Sequence, residues 1–160
     1  MTPAVRYLEA HGVSFRLMRF DHDPACLNYG IEAAQKLGTS ANQVFKTLLL
    51  SDLDRMRVLV LVPVDTQANL RAIAQCLKVK KVELVPAAQV FRLTGYHVGG
   101  VSPFSQKNDF PVLVDTSASQ YKHIYVSAGK RGLELEISPG DLVAQTCASV
   151  CSISNQAGPH

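Results

Sequence analysis

Val44-Phe45-Lys46-Thr47-Leu48-Leu49-Leu50 is an apolar run with one lysine inside it, and Arg57 to Val64 follows as a strongly β-branched run after the turn formers Asp52-Leu53-Asp54. Two such runs around a short polar turn predict a β-hairpin at the centre of a sheet. If residues 44–50 are extended, side chains alternate between faces, so Val44, Lys46, Leu48 and Leu50 share one face and Phe45, Thr47 and Leu49 the other. The ammonium of Lys46 then sits among core-type neighbours. An ammonium withdrawn from water there needs an anion, such as a carboxylate or phosphate, or must reach its head back to solvent. Both readings stay open from the segment alone.

Outward from the hairpin, Thr2-Pro3 is an N-cap and first-turn pair for a short helix ending near His11-Gly12, and residues 13–20 alternate as a strand. Residues 29–37 read as a helix closed by Gly38 in the left-handed cap position. Residues 67–77 and 86–93 carry helical spacing on either side of a basic connector. Strands are expected at 112–115, 124–127, 133–137 and 150–153, with Pro139-Gly140-Asp141 opening a last helix. Short turns between neighbouring strands favour antiparallel pairing, so the expected fold is α+β, a mixed, largely antiparallel, curved and barrel-like sheet flanked by helices. Residues 1–153 form one expected domain, and the polar residues 154–160 a flexible tail.

The chain has 160 residues, 47% hydrophobic and 18% charged, enough for one core without a metal or disulfide staple. No apolar stretch approaches the roughly 18 residues that span a bilayer, and the N-terminus lacks a signal-peptide pattern, so a cytoplasmic protein without membrane function is expected. Cys26, Cys76, Cys147 and Cys151 match neither a disulfide framework nor zinc-ligand spacing, so they read as buried free thiols, with no metal site. The net charge of +3 is too mild for a protein that coats nucleic acid nonspecifically, and no DNA partner is expected. A local basic patch remains available from Lys78, Lys80, Lys81, Lys107, Lys130 and Arg131.

Two glycine-rich segments could carry chemistry. In Gly95-Tyr96-His97-Val98-Gly99-Gly100-Val101-Ser102-Pro103 the paired glycines can expose backbone N–H groups to a carbonyl or phosphate oxygen, although an ordinary turn is the commoner meaning. Tyr125-Val126-Ser127-Ala128-Gly129-Lys130-Arg131-Gly132 is a strand entering a turn with two cations, a phosphate-binding turn or a solvated hairpin tip. Neither matches a nucleotide fingerprint, and Ser127 lacks a nucleophile elbow. Asp21-His22-Asp23 could supply a base or metal ligands, or could cap a turn. Glu134 and Glu136 share a strand face, most often a solvated one, and His97 and His123 have no evident partner.

Taken together, the Lys46-Thr47-Leu48-Leu49 strand, the Gly99-Gly100-Val101-Ser102-Pro103 loop and the Tyr125-Val126-Ser127…Gly129-Lys130-Arg131-Gly132 turn resemble the YbaK/EbsC family, the editing fold associated with prolyl-tRNA synthetase. Met1-Thr2-Pro3-Ala4-Val5, His22-Asp23-Pro24-Ala25, Lys36-Leu37-Gly38 and Lys80-Lys81-Val82-Glu83 resemble its bacterial Cys-tRNA(Pro) deacylase branch. The resemblance implies a freestanding trans-editing hydrolase acting on cysteine-charged tRNA(Pro), without a cofactor, and with prolyl-tRNA synthetase as an escort. It implies Lys46, Gly99 and Gly100 as catalytic residues. Phe20, Thr47, Val101, Ser102, Ser127 and Gly129 would bind substrate, and Lys130, Arg131, Lys80 and Lys81 would contact tRNA. Cys-specific members use the substrate's own thiol to attack its ester, a lyase-like release by cyclisation that needs no protein nucleophile.

Phe20 stands where that branch usually has a tyrosine, Ala128 where it has glycine and Glu134 where aspartate is common, while Phe104-Ser105 replaces small or aliphatic residues. These departures keep two alternatives in play: deacylation of another mischarged tRNA, carrying alanine or serine, or a noncatalytic module that binds tRNA or a synthetase.

Overall fold

The computed structural model describes residues 1–156. Helix α1 (Pro3–Ala10) begins where the Thr2 hydroxyl accepts the Val5 N–H at 3.2 Å, satisfying one of the donors a helix start leaves unpaired. Strand β1 (Arg16–Arg19) is shorter than the alternation over 13–20 suggests, because it pairs only where residues 133–136 run opposite it. Helix α2 (Tyr29–Leu37) is capped by Asn28 and ends on Gly38 in the left-handed region at φ 69°. The central hairpin is β2 (Phe45–Asp52) and β3 (Arg57–Pro63), antiparallel from Phe45↔Pro63 to Ser51↔Arg57.

After β3 the chain departs from the expected helix over 67–77: β4 (Thr66–Ala68) forms first, and α3 (Leu70–Leu77) starts only after the Asn69 side chain accepts the Ala72 N–H. Asparagine thus sets the helix start where hydrophobic periodicity alone runs three residues too early. Strand β5 (Val82–Leu84) pairs the end of β2, and α4 (Ala87–Thr94) follows. Strands β6 (Val112–Asp115), β7 (Ile124–Lys130) and β8 (Leu133–Ile137) precede α5 (Pro139–Thr146), β9 (Ser149–Cys151) and β10 (Ser154–Gln156).

The strands make three sheets, ordered β5-β2-β3-β6-β9, β1-β8-β7 and β10-β4. Pairing is antiparallel except at β3–β6 and β6–β9, which are parallel, so the sheet is mixed as expected. The barrel-like expectation is not met, since no closed barrel forms among the described residues: the two larger sheets approach each other through one Val44↔Tyr125 bridge. Ser154, Asn155 and Gln156 pair β4 rather than joining a loose tail, so ordered structure runs past the expected boundary at 153. Residues 157–160 of that tail lie outside the described residues. Among the described residues no helix is long and apolar enough to cross a membrane.

The hairpin's two faces bury different cores, as period-two alternation requires. Phe45, Leu49, Leu59 and Leu61 join the main core with Leu8, Phe104, Ile124 and Leu135. Leu50, Val58, Val60 and Val62 pack beneath Ile73 and Ala74 of α3. Cysteine placement corrects the sequence reading. Cys76 of α3 and Cys151 of β9 are joined as a disulfide at the rim of that second core, Cys26 is half-buried and Cys147 is exposed. A separation of 75 residues hides such a pair from spacing arguments.

Candidate active site

Lys46 lies in β2, the strand at which the two larger sheets meet. Val64 N–H donates to the Val44 carbonyl at 2.8 Å, while the Leu49 carbonyl accepts from Val85 N–H at 3.0 Å on the opposite side of the strand. Antiparallel ladders alternate direction residue by residue, so residues 44, 46, 48 and 50 turn their main-chain groups to β3 and residues 45, 47 and 49 turn theirs away. On that outer side β2 pairs β5 only from Leu50 to Asp52, and a bridge to β7 is made just ahead of β2, at Val44. Between those contacts the edge of β2 at Thr47 has no strand partner among the described residues and lies beside a cavity of about 550 Å³. That volume falls in the range of small-molecule sites, about 300–1,000 Å³.

The cavity is lined by β2 from Val44 to Leu49, by Tyr29 and Gly30 of α2, by Val85, Pro86 and Val90, by Val98, Gly99 and Val101, and by Ser127 and Glu134 on β7 and β8. Lys46 is half-buried there, and its Nζ donates to the Thr66 carbonyl at 2.9 Å. Burial lowers its pKa, and the charge of Asp65 partly restores it. An ammonium has three donors, and one is committed. Thr47 and Glu134 are each only 9% exposed, and Thr47 Oγ1 and Glu134 Oε2 lack a hydrogen-bond partner among the described residues. Buried polar atoms are nearly always paired, so two unpaired ones on residues that line one cavity single it out as the candidate site.

Of the residues expected at the site, Lys46, Thr47, Gly99, Val101 and Ser127 line this cavity. Gly100 does not: its N–H donates to the His97 carbonyl at 2.8 Å, and it packs on the backbone of Lys130 and Arg131. Of the two expected donors, Gly99 N–H is the one without a backbone partner among the described residues. Ser102 is fully buried behind the loop, where its carbonyl accepts from Gln106 Nε2 at 2.6 Å. Phe20 packs with Ala33, Ala34, Val44 and Val64 instead of facing the cavity. Gly129 is pressed against Tyr96 at φ 105°, and its N–H donates to Ser127 Oγ at 3.1 Å.

Lys130 and Arg131 are exposed beside the Gly99-Gly100 turn, whereas Lys80 and Lys81 are exposed on the connector ahead of β5. Arg131 is also a structural latch, with its guanidinium over the Tyr29 ring and its Nε on the Val98 carbonyl. The Asp21-His22-Asp23 turn does not line the cavity, although the His22 ring lies 5.7 Å from that of Tyr29: His22 Nδ1 lies 2.6 Å from Glu32 Oε1, and Asp23 N–H donates to Glu32 Oε2 at 2.8 Å. Lys36 Nζ completes the cluster at 3.1 Å. Burial raises the Glu32 pKa, but these hydrogen bonds outweigh it and hold the carboxyl at about 2. His97 stacks on Phe91 at 4.3 Å, and the His123 carbonyl accepts from Gln43 Nε2 at 2.7 Å.

Sequence reasoning missed Tyr29 and the burial of Glu134. Glu136 does keep the partly solvated environment expected for that face, with Tyr125 Oη at 2.7 Å and Arg16 at 3.5 Å. Glu134, two residues earlier, is instead buried under the cavity, and desolvation pushes its carboxyl up to about 8. The neighbouring Ser127, its partner in the β7–β8 register, gave the available hint that this face is enclosed.

The fold has known counterparts. Residues 25–144 match the family model of the aminoacyl-tRNA editing domain, and the chain belongs to that family. It is 31% identical over 155 residues to a protein of Enterococcus faecalis named "Putative Cys-tRNA(Pro)/Cys-tRNA(Cys) deacylase EbsC", covering 97% of this chain and 94% of that one. The crystal structure of the hypothetical protein APE2540 superposes with a TM-score of 0.87 at 30% identity, over 96% of this chain and all of that one. A structure titled as a putative trans-editing enzyme for prolyl tRNA synthetase shares the fold, with a TM-score of 0.82 at 23% identity over 97% and 99% of the two chains.

Proposed function

We propose that this chain hydrolyses the ester of mischarged aminoacyl-tRNA in trans, with Cys-tRNA(Pro) as its substrate. The observation that carries the reading is one cavity holding Lys46 with two donors to spare, the orphaned Thr47 Oγ1 and Glu134 Oε2, and the open edge of β2. Such a site suits the terminal aminoacyl-adenosine: Lys46 meets a phosphate or ribose oxygen, and Gly99 N–H steadies the acyl carbonyl. The EbsC relative, matched over nearly its whole length, supports cysteine as the amino acid.

Ser127 Oγ accepts the Gly129 N–H, and among the described residues no histidine lines the cavity to activate it. The absence of such a pair favours attack by the substrate's own thiolate on its ester carbon, which closes a cyclic thioester and expels the ribose hydroxyl. Trans-editing also meets a physical need, since a hydrophobic synthetase pocket separates amino acids of similar size by only about 1–3 kcal/mol. Exposed Lys130, with Lys80 and Lys81, supplies phosphate contacts, and prolyl-tRNA synthetase supplies selection of the tRNA.

The test is deacylation of Cys-tRNA(Pro) by the purified protein, beside alanine- and serine-charged tRNAs and a Lys46→Ala variant. Loss of cysteine that requires Lys46 is the expected result. Faster loss of alanine or serine would reassign the amino acid. Binding of tRNA with every ester intact would leave a noncatalytic module.

A further inference from the structure

Glu134 and Glu136 project from the same face of β8, yet their surroundings differ. Glu136 has Tyr125 and Arg16 as partners, whereas Glu134 has no partner for Oε2 among the described residues. Glu134 stands in the middle strand of its sheet, opposite Ser127 on β7 and Met18 on β1, and is 9% exposed. Glu134 lines the cavity, and among the described residues the other ionisable groups that line it are Lys46 and Tyr29. Lys46 is engaged by Thr66 and by the charge of Asp65, and Tyr29 lies under Arg131. A carboxyl left unpaired in a desolvated place costs stability unless a ligand completes it.

We propose that Glu134 binds the α-amino group of the aminoacyl ester, so that the site accepts amino-acid esters with a free amine and rejects N-acylated or peptidyl ones. The inference rests on the deacylation reading and names the substrate class of the same cavity. Among the groups an aminoacyl-adenosine offers, the α-ammonium is the cationic donor, and in a desolvated site a carboxylate gains most from a charged one. The amine has the converse need, because an ammonium entering this largely apolar cavity requires an anion. Desolvation raises the carboxyl to about 8, so a cationic partner that offsets the lost water is what its charged form needs. An N-acyl group removes the charge, adds bulk against β8 and leaves Glu134 unpaired.

Binding of two hydrolysis-resistant probes tests this by calorimetry: 3′-(L-alanylamino)-3′-deoxyadenosine and its N-acetyl derivative. Wild type is expected to bind the free amine more tightly by on the order of 10- to 100-fold. Glu134→Gln keeps the side-chain volume and should shrink that gap to within about threefold while leaving the N-acetyl affinity unchanged. Equal binding of both probes by wild type, or an undiminished gap in Glu134→Gln, overturns the assignment. Should the variant not fold, the wild-type comparison still decides. A protein that deacylates charged tRNA but binds both probes alike loses only the amine assignment, whereas one that binds neither probe and deacylates nothing loses the deacylation reading as well.

Discussion

The guanidinium carbon of Arg131 lies 4.2 Å from the centroid of the Tyr29 ring, while Arg131 Nε holds the Val98 carbonyl at 2.8 Å. Tyr29 in turn lies against Gly99, so closely that a Cβ on Gly99 would overlap its ring. One exposed cation thus orders the aromatic wall and the glycine turn of the cavity together. This arrangement separates Arg131 from Lys130, for which nothing but a charge is evident.

Arg131→Lys keeps the charge but loses the flat stack and the Nε donor. The variant is expected to lose about 0.5–1 kcal/mol in urea denaturation and to deacylate more slowly, with the salt dependence of tRNA binding unchanged. Full activity in the lysine variant would show that Arg131 acts as a charge alone.

Gly99→Ala should destabilise for two reasons. Its φ of 83° is a conformation that costs an L-residue about 1–2 kcal/mol, and its new methyl displaces Tyr29. Combining it with Tyr29→Ala removes the second penalty, so the double variant should be less damaged than the sum of the singles, as a double-mutant cycle would register.

Lys46→Met separates function from stability. Desolvation holds the folded pKa of Lys46 below its unfolded value of 10.5, so stability falls as pH drops through that window and stays reduced at neutral pH. Methionine removes that deficit and offsets the lost Thr66 hydrogen bond, itself worth on the order of 1 kcal/mol. Unfolding at pH 7 should change little while deacylation disappears.

Glu134 makes stability fall as pH rises. Its folded pKa of about 8 lies above the ordinary glutamate value of 4.5, so between those values the folded state holds a proton that the unfolded state has released. Wild type should be less stable at pH 8 than at pH 5 by a few kcal/mol, since each pH unit crossed between the two values costs on the order of 1.4 kcal/mol. Glu134→Gln should flatten that slope in pH-dependent denaturation, and an unchanged slope would place its origin elsewhere.

Glu32 acts in the opposite sense. Its folded pKa of about 2 lies below 4.5, so its contribution is present above pH 4.5 and is lost as pH falls toward 2. His22→Ala removes one hydrogen bond to a charged group, a loss of about 1.5–3 kcal/mol, and should move acid unfolding to higher pH. Circular dichroism across an acid titration checks this.

Much of the fold was legible because local chemistry repeats. Gly38 closes α2 where the capping rule places it, and alternation in β2 assigns Phe45 and Leu50 to different cores. Misreadings arose where tertiary pairing overrode local pattern. Residues 66–68 became a strand because β10 lies beside them, and Gly100 turned its N–H to His97 rather than outward. Lys46 was conspicuous as a charge in an apolar run, whereas Glu134 resembled the solvated Glu136 in every local respect.

The sequence by itself determined the types of most elements, the central hairpin, the lysine that needs a partner, and the glycine and serine motifs of the family, because capping, side-chain period and turn chemistry act over a few residues. Only the tertiary structure decided that β2 keeps an open edge between β5 and β7, and that Thr47 and Glu134 both line the cavity there with polar atoms unpaired. Strand order and burial depend on contacts between residues far apart in the chain, and no local pattern states which side chain the packing will deprive of water.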